Sequence, residues 1–117
     1  MFADGSVQPV ERTRLILERI APTLRRMPNR IAVAGHTSAA KPGSRPGWSA
    51  WELSAGRAAT VREILANAGV PDDRFSVIAG KSDTEPLFPD NPYLAANRRV
   101  TITLLFEAPP APNGLKP

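Results

Sequence analysis

The chain contains no cysteine, one histidine and few aromatic residues, which make up 6% of its 117 residues. Without cysteine there is no disulfide and no thiol chemistry. His36 has neither a cysteine nor a second histidine to help it bind a metal ion. No glycine-rich loop of the Walker type is present to cradle a phosphate. We therefore expect neither a metal site nor a cofactor.

The chain also lacks long apolar runs. No segment is apolar over a length that could span a bilayer, and no signal peptide opens the sequence. Because ordered-looking sequence begins directly at Met1, we expect an excised domain whose export signal or membrane anchor lies upstream. The length fits one domain, predicted over 1–107, with a disordered Pro-rich tail over 108–117.

The formal net charge is +4 and the isoelectric point is about 10.3. A basic domain favours acidic partners such as nucleic acid, anionic surfaces or polyanionic polymers. Six arginines near the N-terminus interleave with Glu11 and Glu18, a pattern typical of a solvated helix face. They are Arg12, Arg14, Arg19, Arg25, Arg26 and Arg30.

Hydrophobic periodicity predicts the order βαβαββ. The predicted elements are the end of a short strand followed by a turn at 2–6, a helix at 9–27, a strand at 31–36, a helix at 49–69, a strand at 75–80 and a strand at 100–106. Connections through helices imply some parallel pairing. The predicted fold is therefore an α+β two-layer sandwich, with a mixed sheet and the helices on one face.

Particular residues mark the limits of these elements. Pro22 predicts a kink or a break in the first helix. Ser49 and Glu52 have the spacing of a capping box, and Gly69 suits the end of that helix. In the third strand, alternation places Phe75, Val77 and Ala79 on one face.

Arg57 occupies an unusual position for a charged residue. It lies between Leu53 and Val61 on the apolar stripe of the second helix. A guanidinium on a core-facing stripe needs an anion, and arginine grips a carboxylate or phosphate with two parallel hydrogen bonds. Two interpretations follow: an acidic ligand, or an internal salt bridge to a loop carboxylate such as Asp83 or Asp90.

Other polar residues are expected near Arg57 at one edge of the sheet. The second strand ends at His36, Thr37 and Ser38, and the last strand begins after Asn97 and Arg98. We interpret His36 as a histidine at the end of a strand that forms a hydrogen bond with the backbone. A triad of Ser38, His36 and Asp83 has no supporting signature, so an enzyme is the least expected class.

Two further pairs of residues have alternative interpretations. Trp48 and Trp51 flank the start of the second helix, where they either fasten the loop to the core or present one ring to a ligand. Asn97 and Arg98 either tie a loop to the last strand or belong to the binding site.

At these residues the chain resembles the OmpA-like peptidoglycan-binding family. The helix motif stands as Leu53-Ser54, Arg57-Ala58, Val61 and Leu65; the others are Gly35-His36-Thr37-Ser38 and Asn97-Arg98-Arg99-Val100. The resemblance implies binding of the peptide stem, with the helix arginine meeting a carboxylate of diaminopimelate and an aspartate meeting its ammonium group. The implied site comprises His36, Thr37, Ser38, Trp51, Leu53, Ser54, Arg57, Asn97 and Arg98.

The chain departs from the family pattern at two positions. Ser38 stands in place of the family's aspartate, and Ala50 in place of an asparagine three residues before Leu53. A neutral hydroxyl cannot pair with an ammonium group as a carboxylate does. Glu52 or Asp83 is the candidate to compensate.

Within the family, the sequence Trp51-Glu52-Leu53-Ser54 and the long loop at 37–48 resemble those of the branch that anchors flagellar motor stators. This branch implies a periplasmic wall anchor that forms a homodimer, with a membrane anchor and a stator partner subunit reached through upstream sequence. The alternatives are an OmpA-like domain of a porin or lipoprotein that tethers the outer membrane, a protein-interaction module without wall binding, and a nucleic-acid-binding α+β domain. The last would need aromatic residues for stacking on the sheet, which offers only Phe75 and Phe106, so we expect no nucleic-acid partner.

Overall fold

The computed structural model describes residues 1–39 and 49–105. In chain order, its elements are α1 (Glu11–Arg26), β1 (Arg30–Gly35), α2 (Ala50–Asn67), β2 (Phe75–Gly80) and β3 (Val100–Leu105). Single 3-10 turns occur at Asp72–Arg74 and Ala95–Asn97. The predicted tail over 108–117, Trp48 and Phe106 lie outside the described residues.

The strands form one mixed sheet in the order β2-β1-β3, with β1 parallel to β2 and antiparallel to β3. Helix α2 packs across all three strands and α1 packs on α2. The core between them includes Leu17, Ile31, Val33, Val61 and Leu65. The predicted α+β class and mixed sheet are confirmed.

Within 2–6, the expected strand end is reduced to one isolated bridge, between Phe2 and Pro9, while the expected turn is present. The segment turns back on itself at Gly5, whose φ of +72° lies in the left-handed region. Within the described residues the order is therefore αβαββ. The reason is that carbonyls of this segment accept hydrogen bonds from arginine side chains, as described below, instead of joining the sheet.

The first helix differs from expectation at two points. It begins at Glu11, after Pro9, and it runs through Pro22 without a break. Proline removes one backbone hydrogen bond and crowds the preceding turn. Burial of Leu17, Ala21 and Leu24 against the core outweighs that local penalty.

The second helix has the predicted boundaries. Ser49 Oγ accepts from the Glu52 amide at 3.1 Å, and Glu52 Oε1 accepts from the Ser49 amide at 3.1 Å, which confirms the capping box. At the other end the Val70 amide donates to Leu65 O and the Gly69 amide to Ala66 O. With Gly69 at φ +106°, this is a complete Schellman motif.

A register shift in β2 corrects the predicted alternation. Ile31 pairs with Phe75, but Ala32 pairs with Val77, so one extra residue is inserted between them. Phe75 consequently packs against the core, whereas Val77 lies on the open face of the sheet. The open face, defined here as the face opposite the helices, carries Ala32, Ala34, Val77, Ala79, Thr101 and Thr103.

Candidate functional site

Helix α2 crosses the sheet very closely at two paired glycines. Gly35 of β1 and Gly80 of β2 are partners in the parallel ladder. A Cβ built on Gly35 would overlap the Ser54 carbonyl oxygen, and one built on Gly80 would lie 2.6 Å from Ser54 Oγ and the Ala55 amide. The absence of these side chains brings the Ser54–Arg57 turn of α2 against the strand ends.

Ser54 connects α2 to the loop after β2. Its Oγ donates to Trp51 O at 3.0 Å and accepts from the Ser82 amide at 2.9 Å. Ser82 is buried at φ +53°, and its carbonyl accepts from the Thr37 amide at 2.9 Å. The sequence did not point to Ser82, because a left-handed serine leaves no signal comparable to that of glycine.

Arg57 has no solvent exposure, and its guanidinium donates to three backbone carbonyls. Nε reaches Ser6 O at 2.8 Å, Nη2 reaches Ala3 O at 3.1 Å and Nη1 reaches His36 O at 3.1 Å. The guanidinium carbon also lies 5.1 Å from the centre of the Phe2 ring, a cation–π distance. The predicted internal salt bridge to Asp83 or Asp90 is wrong, because carbonyls of the N-terminal segment take that place.

The charge of Arg57 is held at an electrostatic cost. Burial, and then the nearby Arg98, lower its pKa from 12.5 to about 10, while Asp4 opposes that shift. At neutral pH the side chain therefore remains protonated. Carbonyl dipoles satisfy its donors without neutralising its charge.

His36 is buried, with 3% of its surface exposed, and its ring turns away from the helices. Nε2 lies 3.1 Å from Thr101 Oγ1, whereas Nδ1 is buried and has no hydrogen-bond partner in the part of the chain that the structure describes. Burial and then Arg99 lower the pKa of His36. The interpretation that the ring bonds to backbone is wrong, and the ring does not join the triad with Ser38 and Asp83.

Thr37 and Ser38 follow β1. Thr37 is buried, and its Oγ1 has no hydrogen-bond partner among the described residues, whereas Ser38 is half-buried. Glu52 is engaged in the capping box, and the carboxylate of the exposed Asp83 lies 3.5 Å from Ser82 Oγ. Neither acid contacts Ser38 through these interactions.

The predictions for Trp51 and for Asn97 have different outcomes. Trp51 is 58% exposed, so it does not fasten a loop to the core, while Leu53 beside it is buried. Asn97 is fully buried, and it accepts from the Phe88 amide and donates to Asn91 O. Both partners lie in the loop that precedes the last strand, so these two bonds fasten the loop internally and do not reach the strand itself.

Arg98 and Arg57 together hold the N-terminal segment. Arg98 Nε donates to Phe2 O at 2.8 Å, and Arg57 holds the carbonyls of Ala3 and Ser6. The structure thus brings His36, Thr37, Ser54, Arg57 and Arg98 to one end of the sheet. Trp51 lies at the exposed start of α2, and Asn97 acts within its own loop.

The described residues contain neither a candidate metal site nor a candidate membrane-spanning helix. Across residues 1–39 and 49–105, no group of three or more His, Asp or Glu side chains could hold a metal ion. Over the same ranges, no helix combines the length and apolarity needed to cross a membrane.

Comparison with known proteins identifies relatives of this arrangement. A sequence model of the OmpA family matches residues 1–99. Motility protein B of Escherichia coli K12 is 38% identical over 106 residues, which cover 90% of this chain and 34% of that protein. LafU of E. coli O44:H18 is 33% identical over 108 residues, which cover 92% of this chain and 35% of that protein. The chain therefore spans about a third of the length of these curated relatives.

Two solved structures are similar to this chain in fold. The C-terminal domain of Helicobacter pylori MotB superposes with a TM-score of 0.80 at 27% identity, covering 92% of this chain and 84% of that chain. The cell wall anchor of the T6SS from Pseudomonas aeruginosa superposes with a TM-score of 0.72 at 32% identity, covering 92% of this chain and 76% of that chain.

Proposed function

Because the chain belongs to the OmpA family, we propose that it binds the peptide stems of peptidoglycan without catalysis and anchors a larger protein to the cell wall. The observation that carries this proposal is the buried charge of Arg57, which, within residues 1–39 and 49–105, contacts carbonyls and no carboxylate. A buried cation without a counterion is costly, and its retention favours a role in binding an anion. Stem peptides supply carboxylates.

The three hydrogen bonds that Arg57 makes go to carbonyls, and the side chain has no solvent exposure, so direct binding has a structural requirement. An incoming carboxylate takes the place of the Ala3 or Ser6 carbonyl, and the segment at 1–9 shifts to admit it. This exchange is favourable because a charged acceptor binds guanidinium more strongly than a neutral carbonyl does. His36 O keeps the third donor and holds the side chain in position.

The remaining polar groups have proposed roles in orienting the ligand. Thr37 Oγ1 is buried without a partner in residues 1–39 and 49–105, and it offers a donor or an acceptor to a peptide group. Ser38 lies next to it and meets the stem ammonium group as a neutral acceptor, which gives weaker recognition than an aspartate would. The exposed ring of Trp51 supplies apolar contact area at the start of α2.

The proposed cellular role is that of the wall-anchoring module of a flagellar motor stator, in the periplasm. Identity of 38% to motility protein B supports this role. The homodimer, the membrane anchor and the stator partner belong to the same proposal. Wall anchoring in another envelope protein, such as a porin or lipoprotein, remains the alternative, and the likeness to the T6SS cell wall anchor supports anchoring in general.

The experiment is co-sedimentation with purified sacculi, comparing the unaltered chain with Arg57→Ala and a control, Arg62→Ala. Arg62 is also an arginine of α2, but it pairs with Asp72 at the surface. We expect Arg57→Ala to lose at least about tenfold in affinity, since charge-assisted hydrogen bonds contribute about 1.5–3 kcal/mol. Equal pelleting of folded Arg57→Ala and the unaltered chain would refute the role of Arg57.

Circular dichroism establishes whether Arg57→Ala folds. If it does not fold, the unaltered chain still tests the proposal, because the Nε–H resonance of Arg57 should shift when diaminopimelate-containing stem peptide is added. A resonance that stays unmoved at saturating peptide would contradict direct binding.

Binding to nucleic acid is tested in the same preparation at low and near-physiological salt. Non-specific binding to phosphates falls steeply with salt, whereas an enclosed ion pair is screened less. Phe75 packs against the core and cannot stack on a base from the open face. Tight nucleic-acid binding that persists at the higher salt would replace the wall-anchor proposal.

A further inference from the structure

The open face of the sheet contains a depression that the proposed wall-binding site does not use. Short side chains from all three strands form its floor, because Ala34 pairs with both Ala79 and Thr101, and Ala32 pairs with both Val77 and Thr103. The depression has a volume of about 470 Å³. Methyl groups line its floor, and these short side chains leave the depression above them unfilled.

One end of the depression is polar and carries a net positive charge. Its titratable lining groups are His36, Lys81, Glu85 and Arg99. Lys81 Nζ lies 3.9 Å from Glu85 Oε2, and Arg99 Nη2 donates to Glu85 O at 2.9 Å. Lys81 balances the carboxylate of Glu85, so among the described residues that line the depression the charge of Arg99 is left uncompensated. His36 adds no charge near neutral pH, since burial and Arg99 lower its pKa.

Two nitrogen atoms at this polar end are buried and have no hydrogen-bond partner within residues 1–39 and 49–105. They are Arg99 Nη1 and His36 Nδ1, and His36 as a whole is 3% exposed. Leaving a buried donor without an acceptor is unfavourable. Neither nitrogen touches solvent, so an oxygen atom that enters the depression would supply the acceptor that Arg99 Nη1 lacks only after the Arg99 and His36 side chains shift to admit it.

The two ends together define the chemistry of the ligand. Arginine presents a planar fork that matches a carboxylate, and a single uncompensated positive charge matches a monoanion. The methyl-lined floor matches a short aliphatic chain. A phosphate dianion matches less well, because it has no apolar part and would face the Glu85 carboxylate.

We propose that the depression binds an aliphatic carboxylate, with its oxygens at Arg99 and His36 and its alkyl chain on the floor formed by Ala34, Ala79 and Thr101. The site is separate from Arg57, which lies on the helix side of β1. His36 connects the two sides, because its carbonyl accepts from Arg57 while its ring lines the depression. The proposal does not depend on wall binding.

The single histidine of the chain makes a direct experiment possible. The imidazole resonances of His36 are followed by NMR during titration with sodium butyrate at constant ionic strength, with sodium chloride as the reference. We expect saturable shifts with a Kd on the order of millimolar, as suits a ligand of about six heavy atoms. Binding should also raise the pKa of His36, because a nearby anion favours the imidazolium form.

Variants separate this site from general salt effects. Arg99→Gln should weaken butyrate binding at least about tenfold, whereas Arg62→Gln, at a surface arginine of α2, should leave it unchanged. If Arg99→Gln does not fold, Ala34→Leu tests the site instead, because the added isobutyl group fills the floor without changing any charge. Acetate and phosphate should both bind more weakly than butyrate.

Three results would overturn the proposal. The first is that butyrate shifts the His36 resonances no more than chloride does. The second is that both Arg99→Gln and Ala34→Leu fold and still bind butyrate. The third is that acetate or phosphate binds as tightly as butyrate does. The readout concerns the open face alone, so its failure would leave the sacculus experiment on Arg57 unaffected.

Discussion

The close crossing of α2 over Gly35 makes a quantitative prediction about stability. In Gly35→Ala the new methyl group would overlap the Ser54 carbonyl oxygen, lie 2.9 Å from the Ser54 carbonyl carbon and lie 3.2 Å from the Ala58 nitrogen. All three atoms belong to the backbone of α2, so no side-chain rotation relieves the contact. The helix must move away from β1 as a unit.

That movement has a large expected cost. Overpacking a core typically costs about 1–3 kcal/mol. Here the obstacle is helix backbone, and lifting α2 also loosens the packing of Val61 and Leu65 on the sheet, so we expect a loss of about 3 kcal/mol or more. A domain of this size is stable by only about 5–15 kcal/mol. Gly35→Ala should therefore unfold at a much lower urea concentration.

The matched control is Gly56→Ala, the same chemical change two residues after Ser54 on α2. The nearest obstacle there is Val7 Cγ1 at 2.8 Å, a side-chain atom that can move. Replacing a helical glycine with alanine also gains about 1 kcal/mol of helix propensity. Urea denaturation followed by circular dichroism should give a change within about 1 kcal/mol for this control. A similarly small loss for Gly35→Ala, with an unchanged m-value, would refute the close crossing.

Three further predictions concern the site. Ser38→Asp should tighten binding of diaminopimelate-containing stem peptide in a calorimetric titration, because a carboxylate can pair with the ammonium group; no gain would mean that another group already fills this role. Ser54→Ala should cost about 1–3 kcal/mol in urea denaturation, since it leaves the buried amide of Ser82 without its acceptor; an unchanged stability would contradict that hydrogen bond. Because burial lowers the pKa of His36 below its ordinary 6.5, the unfolded chain binds this proton at a higher pH than the folded chain does. Stability should therefore decrease as pH falls below about 6.5, by at most about 1.4 kcal/mol per pH unit, and His36→Asn should flatten this dependence; an unchanged slope would contradict it.

The features of the fold that could be predicted depend on local chemistry. The limits of α2 follow from side chains that satisfy its own ends, Ser49 with Glu52 at the start and Gly69 after the last turn. The buried run of β1 likewise needs no knowledge of distant residues. Such signals act within a few positions, so they are visible in the sequence.

The features that were missed depend on contacts between distant parts of the chain. The register shift before Val77 is set by pairing with β1, and alternation alone cannot reveal an inserted residue. Pro22 is tolerated because tertiary packing stabilises the turns around it. Ser82 adopts a left-handed conformation because Ser54 and Thr37 hold its amide and carbonyl. Each of these outcomes is decided by residues far away in sequence.

Arg57 shows why satisfying donors and neutralising charge are different requirements. Its place on an apolar stripe correctly indicated a buried cation, and the expectation of an anion followed from the cost of that charge. The structure fills the donors with carbonyls of Ala3, Ser6 and His36, which are neutral dipoles. Each guanidinium nitrogen thereby has one acceptor while the charge stays uncompensated, and burial lowers the pKa of Arg57. A carboxylate that replaced one of these carbonyls would keep the hydrogen bond and add the missing negative charge. An anionic ligand, unlike a neutral one, would therefore relieve the unfavourable free energy of the uncompensated charge, and this difference gives selectivity for anionic ligands.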